Sequence, residues 1–382
     1  MKRRDFLTLA ALSSLATILQ ARAQNLSSAQ RTLMVVQLVG ANDGLNTFIP
    51  YTDPNYARLR PSLAIKDGIP ISSQVALHPS LELLKPFFDG QELTIVQNVS
   101  YPNPDLSHFR AQDIWQSGET TETAASGWLA RYLQGVQAVP GDGIFIGEEY
   151  PLALLGANDE RYLQLSPSLS LQTGGKLGQA VQLAYNMPQT NPLAEAVRQS
   201  VLESQAALEQ FQGKVAQRTA NGTYPKDKIG SQFALASVVL ESLPKVVYLT
   251  IGGWDTHVNQ LAQQQRLLKS VGDSLAALMT DLKTKGTDRN VLIMVQTEFG
   301  RRVAQNGSGG TDHGTATPVF FLGGTLKGDI MGGQPDLANL VNGNLPWQID
   351  FRSLYAETLD RWLGANARAI LGANYPHVGF LA

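Results

Sequence analysis

Four apolar runs constrain this chain more than any other feature: Leu33 to Val39, Glu92 to Val99, Lys245 to Ile251 and Asn290 to Val295. Each is rich in Val, Ile and Leu without clean alternation, the pattern of strands covered on both faces. Helical segments lie between them, so the chain reads as β-α-β units: a three-layer α/β/α fold around a mostly parallel central sheet. Ligands of such sheets bind in the crevice beyond the carboxyl ends of the strands, where residues remote in sequence can meet. Asp43, His108, Asp255, His257, Glu298, Asp312 and His313 lie in or beside loops at the ends of these and a further apolar run. Imidazole and carboxylate groups gathered in one crevice suit a divalent metal.

The amino-terminal residues Met1 to Ala23 carry Lys2, Arg3 and Arg4, then an apolar stretch from Thr8 to Leu19 and small residues at Ala21 and Ala23. Basic, apolar and small-residue regions in that order read as an export signal, and the paired arginines make it the twin-arginine type, directing the protein to the periplasm or outside the cell. No other stretch reaches the roughly 18 apolar residues of a membrane span. A net charge of −2 offers no general attraction to nucleic acid. The chain has no cysteine, which excludes disulfides, thiolate zinc ligands, iron–sulfur clusters and a cysteine nucleophile.

Residues 24–382 read as one α/β domain. Residues 148–190, rich in Leu, Gly, Ser and Pro, read as an irregular cap or edge excursion. A helix is expected from Pro192 to Val215, a linker from Thr219 to Gly230, and a long helix from Val258 to Lys285, with a last apolar run at Val319 to Leu322. The Gly-rich segments Gly307 to Gly310 and Gly323-Gly324 match no phosphate-cradling loop and read as turns.

Each candidate residue has a structural alternative. Asp43, in Asn42-Asp43-Gly44, is either a cation ligand or the cap of a short helix. Ser107, before His108-Phe109-Arg110, is either a nucleophile at a helix N-terminus or an ordinary N-cap. His108 stands beside it as ligand or proton donor, and Arg110 or Arg301 as an anion clamp. Asp255 and His257 follow two glycines at a strand end, the most specific ligand pair in the chain. Glu298 binds metal, orients a ligand, caps a helix or pairs with Arg301, and Asp312 and His313 form an adjacent pair in a glycine-flanked turn. His78 and His377 read as structural. Trp115 and Trp254 offer stacking faces for a sugar or peptide.

Taken together, Asn42 to Asn46, Ser107-His108-Phe109 with Gln112 and Trp115, Gly252 to His257, Thr297 to Arg301 and Asp312-His313 resemble the domain of unknown function 1501 family over nearly the whole chain. That family is similar in turn to the alkaline phosphatase superfamily. The resemblance implies an alkaline-phosphatase-like fold and one or two divalent ions (zinc, manganese, iron, magnesium or calcium). It places Asp43, Asp312, His313 and Ser107 around one ion, and Asp255 and His257 around a second. The second set lacks the superfamily's late histidine, for which His108 is a substitute. No Cys/Ser-x-Pro-x-Arg segment occurs, which argues against sulfatase chemistry. The resemblance implies an exported metal-dependent hydrolase of phosphate or related anionic esters with a serine nucleophile. The alternative is a non-catalytic exported scaffold that binds a carbohydrate-like ligand or an exported protein partner.

Overall fold

A computed structural model describes residues 30–120, 124–139, 141–148, 151–156, 162–165 and 223–382, with isolated positions between 195 and 217. The expected export signal, most of the 148–190 excursion and most of the 192–215 helix lie outside the described residues.

The strands in chain order are β1 (Thr32–Leu38), β2 (Phe48–Ile49), β3 (Ile69–Pro70), β4 (Ala76–Leu77), β5 (Leu93–Ser100), β6 (Gly143–Ile146), β7 (Tyr162–Leu165), β8 (Val246–Ile251), β9 (Val291–Gln296), β10 (Thr317–Gly323), β11 (Ile330–Met331) and β12 (Ile349–Asp350). Nine form the central sheet in the order β11-β5-β10-β9-β1-β8-β6-β7, with β12 also on β5, while β2, β4 and β3 make a small separate sheet. The four apolar runs are β1, β5, β8 and β9, each within a residue or so of its expected bounds. β1 lies at the centre, parallel to both neighbours, with Gln37 level with Thr250 on β8 and Gln296 on β9. All seven of its residues are buried, which is why the run shows no alternation.

β10 runs antiparallel to both β9 and β5 and is the one reversed strand of the described sheet. Its reversal decides where the loops go. The loops leaving β1, β5, β8 and β9 and the loop entering β10 all fall on one edge, so Asp312 and His313, which precede a strand, arrive where the other candidates follow one.

Alternate β1 residues face opposite layers. Met34, Val36 and Leu38 pack with Phe233 and Leu235 of helix Lys228–Val239 and with Leu268 and Leu275 of the long helix Gln260–Lys285. Leu33 and Val35 belong to the other layer, with Ile114, Leu129 and Leu354 from helices His108–Ser117, Trp128–Gly135 and Phe351–Glu357. Each such side chain contributes about 1.5–3 kcal/mol by leaving water, so the sheet is clamped from both sides.

Three sequence expectations change. β6 was not legible as a strand, and β7 places an ordered parallel edge strand inside the expected excursion. The expected linker is ordered from residue 223 on: Tyr224 is buried and its hydroxyl donates to Asp281 at 2.8 Å, and Asp227 caps the next helix by accepting from Gly230 N at 2.8 Å. Trp115 and Trp254 are both 1% exposed and offer no stacking face; Trp115 lies instead against Phe351 with ring centroids 4.5 Å apart.

Candidate metal centre

His108 opens the helix His108–Ser117, which a buried amide anchors to the sheet: Gln116 Nε2 donates to Gln37 Oε1 of β1 at 2.9 Å. Asp255 and His257 leave β8, and His313 precedes β10. The fold turns all three imidazoles toward one carboxylate oxygen. Asp255 Oδ1 lies 3.1 Å from His257 Nε2, 3.3 Å from His313 Nε2 and 3.5 Å from His108 Nε2. His257 Nε2 and His313 Nε2 are 3.0 Å apart, and the His108 and His313 rings meet edge to face at 4.3 Å.

The opposite nitrogen of each ring is held from outside. His108 Nδ1 lies 2.8 Å from Glu298 Oε1, His313 Nδ1 2.8 Å from the Leu106 carbonyl, and His257 Nδ1 3.3 Å from Asp312 Oδ1. Such outer acceptors fix the tautomer with hydrogen on Nδ1 and leave Nε2 a free lone pair, the arrangement of metal-ligating histidines.

Three lone pairs and a carboxylate oxygen this close repel one another unless a cation lies between them. His108 Nε2 is buried with no hydrogen-bond partner, a costly state for a polar atom. The donor atoms of His108, Asp255 and His313 all lie within 4.8 Å of one another and fit a divalent metal, with His257 beside them. Nitrogen dominates the set, which suits zinc, iron or manganese better than the all-oxygen preference of magnesium and calcium.

Electrostatics follow from the same contacts. Burial raises the pKa of Asp255, but the Arg301 guanidinium at 2.8 Å and the neighbouring histidines outweigh it and hold the carboxyl at about 2. The hydrogen bond to Glu298 raises the pKa of His108, burial lowers that of His313, and the Asn306 amide keeps Asp312 below its usual value. The Asp255 side chain is 48% exposed and that of His257 41%, so one flank of the cluster opens to solvent.

Glycine shapes the approach of the loops. A Cβ on Gly310 would lie 2.3 Å from the His257 carbonyl oxygen. Any side chain there would push the His313 loop off the His257 loop.

Of the residues expected from sequence to hold metal, Asp255, His257 and His313 converge, and His108 joins them. Glu298 and Asp312 do not point into the cluster. Glu298 is fully buried and also accepts from Gly40 N at 2.8 Å; with Asp312 it braces the histidines from behind. Asp43 is placed elsewhere. It is 1% exposed, caps helix Gly44–Thr47 through Leu45 N, and its Oδ2 accepts from Arg60 at 2.5 Å and from Gln260. The Arg60 guanidinium neutralises the carboxylate that the sequence suggested for an ion shared with His313.

Arg301 is not an anion clamp either. It is buried and donates to the carbonyls of Gly40, Ala41, Trp254 and Thr311 as well as to Asp255, tying together the loops that follow β1, β8 and β9. Arg110 reaches the Thr120 carbonyl at 3.3 Å. Ser107 occupies the N-cap position of its helix but makes no capping bond; it is exposed, and its backbone N–H donates to Asp105 at 2.7 Å. His78 and His377 are structural: His78 accepts from Ser80 N, and His377 pairs with Asp360.

Sequence reading missed Arg60, Gln260 and Gln264. Arg60 donates to Asn46 and to the carbonyls of Arg302 and Val303 besides Asp43, and Gln264 donates to the Asp43 carbonyl at 2.9 Å. Nothing in the local pattern around these residues marks them as buried.

The fold and site define an α/β/α protein in which three histidines and an aspartate meet at the loop edge of a mostly parallel sheet. The family model described as a protein of unknown function (DUF1501) matches residues 91–372, and the chain belongs to that family. No curated protein matches it. Among solved structures, it is similar to the C-terminal periplasmic domain of EcEptC from Escherichia coli in complex with Zn, at 12% identity over 79% of this chain and 74% of that one, with a TM-score of 0.37. It is similar to alkaline phosphatase from the Antarctic bacterium TAB5, at 12% identity over 79% and 94% of the two chains (TM-score 0.34), and to Ps i-CgsB in complex with k-i-k-neocarrahexaose, at 11% over 91% and 73% (TM-score 0.35). At these identities no residue role passes from those proteins to this one.

Proposed function

We propose that this protein is an exported, metal-dependent hydrolase of phosphate esters or related anionic esters, with a single metal centre at His108, His257, His313 and Asp255. The observation that supports it is the convergence of three Nε2 atoms on Asp255 Oδ1, each ring fixed from behind. A bound divalent cation would supply Lewis-acid stabilisation of negative charge on the ester. With one carboxylate among four ligands, the centre keeps net positive charge, which favours an anionic substrate.

Ser107 is the nucleophile in this reading. What supports it is its place in the chain: Ser107 is exposed at the start of the His108 helix and follows Leu106, whose carbonyl holds the His313 ring. Its oxygen bonds to phosphorus as the ester P–O bond breaks; the serine proton passes to solvent, the departing alcohol takes one from water, and a second water releases phosphate. Arg301 holds Asp255 ionised, and Glu298 and Asp312 keep the rings oriented.

The test is metal content by elemental analysis, beside turnover of aryl and alkyl phosphates, for wild type, Ser107→Ala and Asp255→Ala. The expected outcome is about one ion per chain in wild type and in Ser107→Ala, none in Asp255→Ala, and turnover lowered by about two orders of magnitude or more in both variants. Unchanged turnover in Ser107→Ala would remove that residue as nucleophile. No ion in any sample after incubation with zinc, iron or manganese would sink the metal-dependent reading, and a bound ion without turnover of any ester would leave a scaffold.

Export by the twin-arginine route is part of the proposal and rests on Lys2, Arg3, Arg4 and the apolar stretch after them. Replacing Arg3 and Arg4 by lysine should hold the precursor in the cytoplasm, as read by cell fractionation; periplasmic accumulation of the variant would refute it.

A further inference from the structure

Beside the metal centre lies a cleft of about 330 Å³ over the ends of β1, β8 and β6. Gln112, Gln116, Gln232, Lys228, Glu148 and Gly252 line it. It adjoins the centre through Gln112, whose Nε2 is 3.5 Å from the Glu298 oxygen that holds His108, and Gly252 lies three residues before Asp255.

Three properties define what such a cleft can hold. First, among the described residues its charge cancels: Lys228 Nζ is 2.8 Å from Glu148 Oε1, and the other described lining side chains are neutral. Second, three of its polar lining side chains, Gln112, Gln116 and Gln232, are primary amides, which both donate and accept, and two are held in place: Gln116 donates to Gln37 and accepts from Ala153 N, and Gln232 donates to the Thr250 carbonyl at 3.1 Å. Third, no free sheet edge borders it, because β1, β8 and β6 are each hydrogen-bonded to a strand on both sides. A peptide therefore cannot add there as an extra strand. Val39 and Pro151 add apolar lining beside the amides.

We infer that this cleft binds a neutral, polyhydroxylated group, a saccharide or similar polyol, that forms the uncharged part of the molecule presented to the metal centre. Hydroxyl groups match fixed amides in both hydrogen-bonding senses, and a cleft of this volume is at the small end of ligand pockets. The role of the ligand as part of a substrate rests on the hydrolase reading above, but its binding does not require hydrolysis.

Gly252 supplies the plug for the test. Its φ is not in the left-handed region, and a Cβ there meets nothing within 4 Å, so Gly252→Phe adds a ring at the cleft without backbone strain. Gln112→Leu is the second variant; it keeps the side-chain volume and removes the amide. Ligand-observed saturation-transfer NMR would be run on metal-loaded and chelated protein with maltotriose, chitobiose, triglycine and inorganic phosphate as probes. The expected result is transfer to a saccharide probe with and without metal, weakened about tenfold or more in apparent affinity by either substitution, with no transfer to triglycine. No transfer to either saccharide, transfer to triglycine instead, or saccharide binding unchanged in both folded variants would overturn the inference. Because no ester bond is involved, failure of the hydrolase reading would leave this result standing, and the reverse.

Discussion

Asp43 and Arg60 are 1% and 0% exposed in their side chains and lie 2.5 Å apart. A pair so deeply buried gains little over an apolar substitute, but removing one member strands the other charge in a medium that cannot solvate it. Arg60→Met should therefore destabilise the protein by about 3–5 kcal/mol, read as a lower denaturant midpoint. Metal content should stay at the wild-type level, since Asp43 is bound to Arg60, Gln260 and Leu45 N rather than to the histidine cluster. A loss of ion from folded Arg60→Met would show that Asp43 belongs to the centre after all. The residue scale is also where sequence reading was weakest. His108, His257 and His313 stood out as histidines in glycine- or helix-flanked loops, but four carboxylates, Asp43, Asp255, Glu298 and Asp312, were candidates beside them. Which of them faces inward depends on side-chain direction, and that is set by Arg301 and Arg60, whose partners lie up to 261 positions away.

The short 3-10 helix Pro79–Leu84 packs against the long helix Gln260–Lys285 through Leu81 and is capped by His78, whose Nδ1 accepts from Ser80 N at 3.0 Å. That bond requires the neutral ring, and burial pulls the His78 pKa down to about 4. The unfolded chain takes up a proton near pH 6.5, whereas the folded one resists until about pH 4. Stability is therefore full above pH 6.5 and declines as pH falls toward 4, by about 3 kcal/mol in all. His78→Asn keeps a capping oxygen and removes the titration, so its stability should be flatter across that window. An equal slope in the variant, measured by denaturant unfolding at several pH values, would assign the effect to other groups. At this scale the long apolar strands were readable because both faces are covered, so their hydrophobicity is continuous. β6, with four residues, carries too little pattern to separate from a loop, and β7 owes its place to pairing with β6.

For the whole molecule, the proposed metal centre would join loops from β5, β8 and the entry to β10, so its occupancy would couple separated parts of the chain. Anything that binds the folded state alone stabilises it by mass action. Chelation should lower the melting temperature of wild type, re-addition of zinc, iron or manganese should restore it, and Asp255→Ala should respond to neither. A melting temperature indifferent to chelator in a metal-loaded sample would mean that the centre does not hold these loops together. No helix among the described residues is long and apolar enough to cross a membrane, and DUF1501 membership covers residues 91–372, which takes in His108, Asp255, His257 and His313 but not Asp43.

Hydrophobic continuity, strand spacing and glycines at strand ends are local properties, so the α/β class, the mostly parallel sheet and the loop edge where the histidines meet could be read along the chain. The reversal of β10, the burial of Asp43 beneath Arg60, the saturation of Arg301 and the choice of Asp255 over Glu298 and Asp312 could not. Each depends on which groups become neighbours once the sheet has closed, and long-range pairing of buried charges and amides leaves no periodic trace in the chain that must satisfy it.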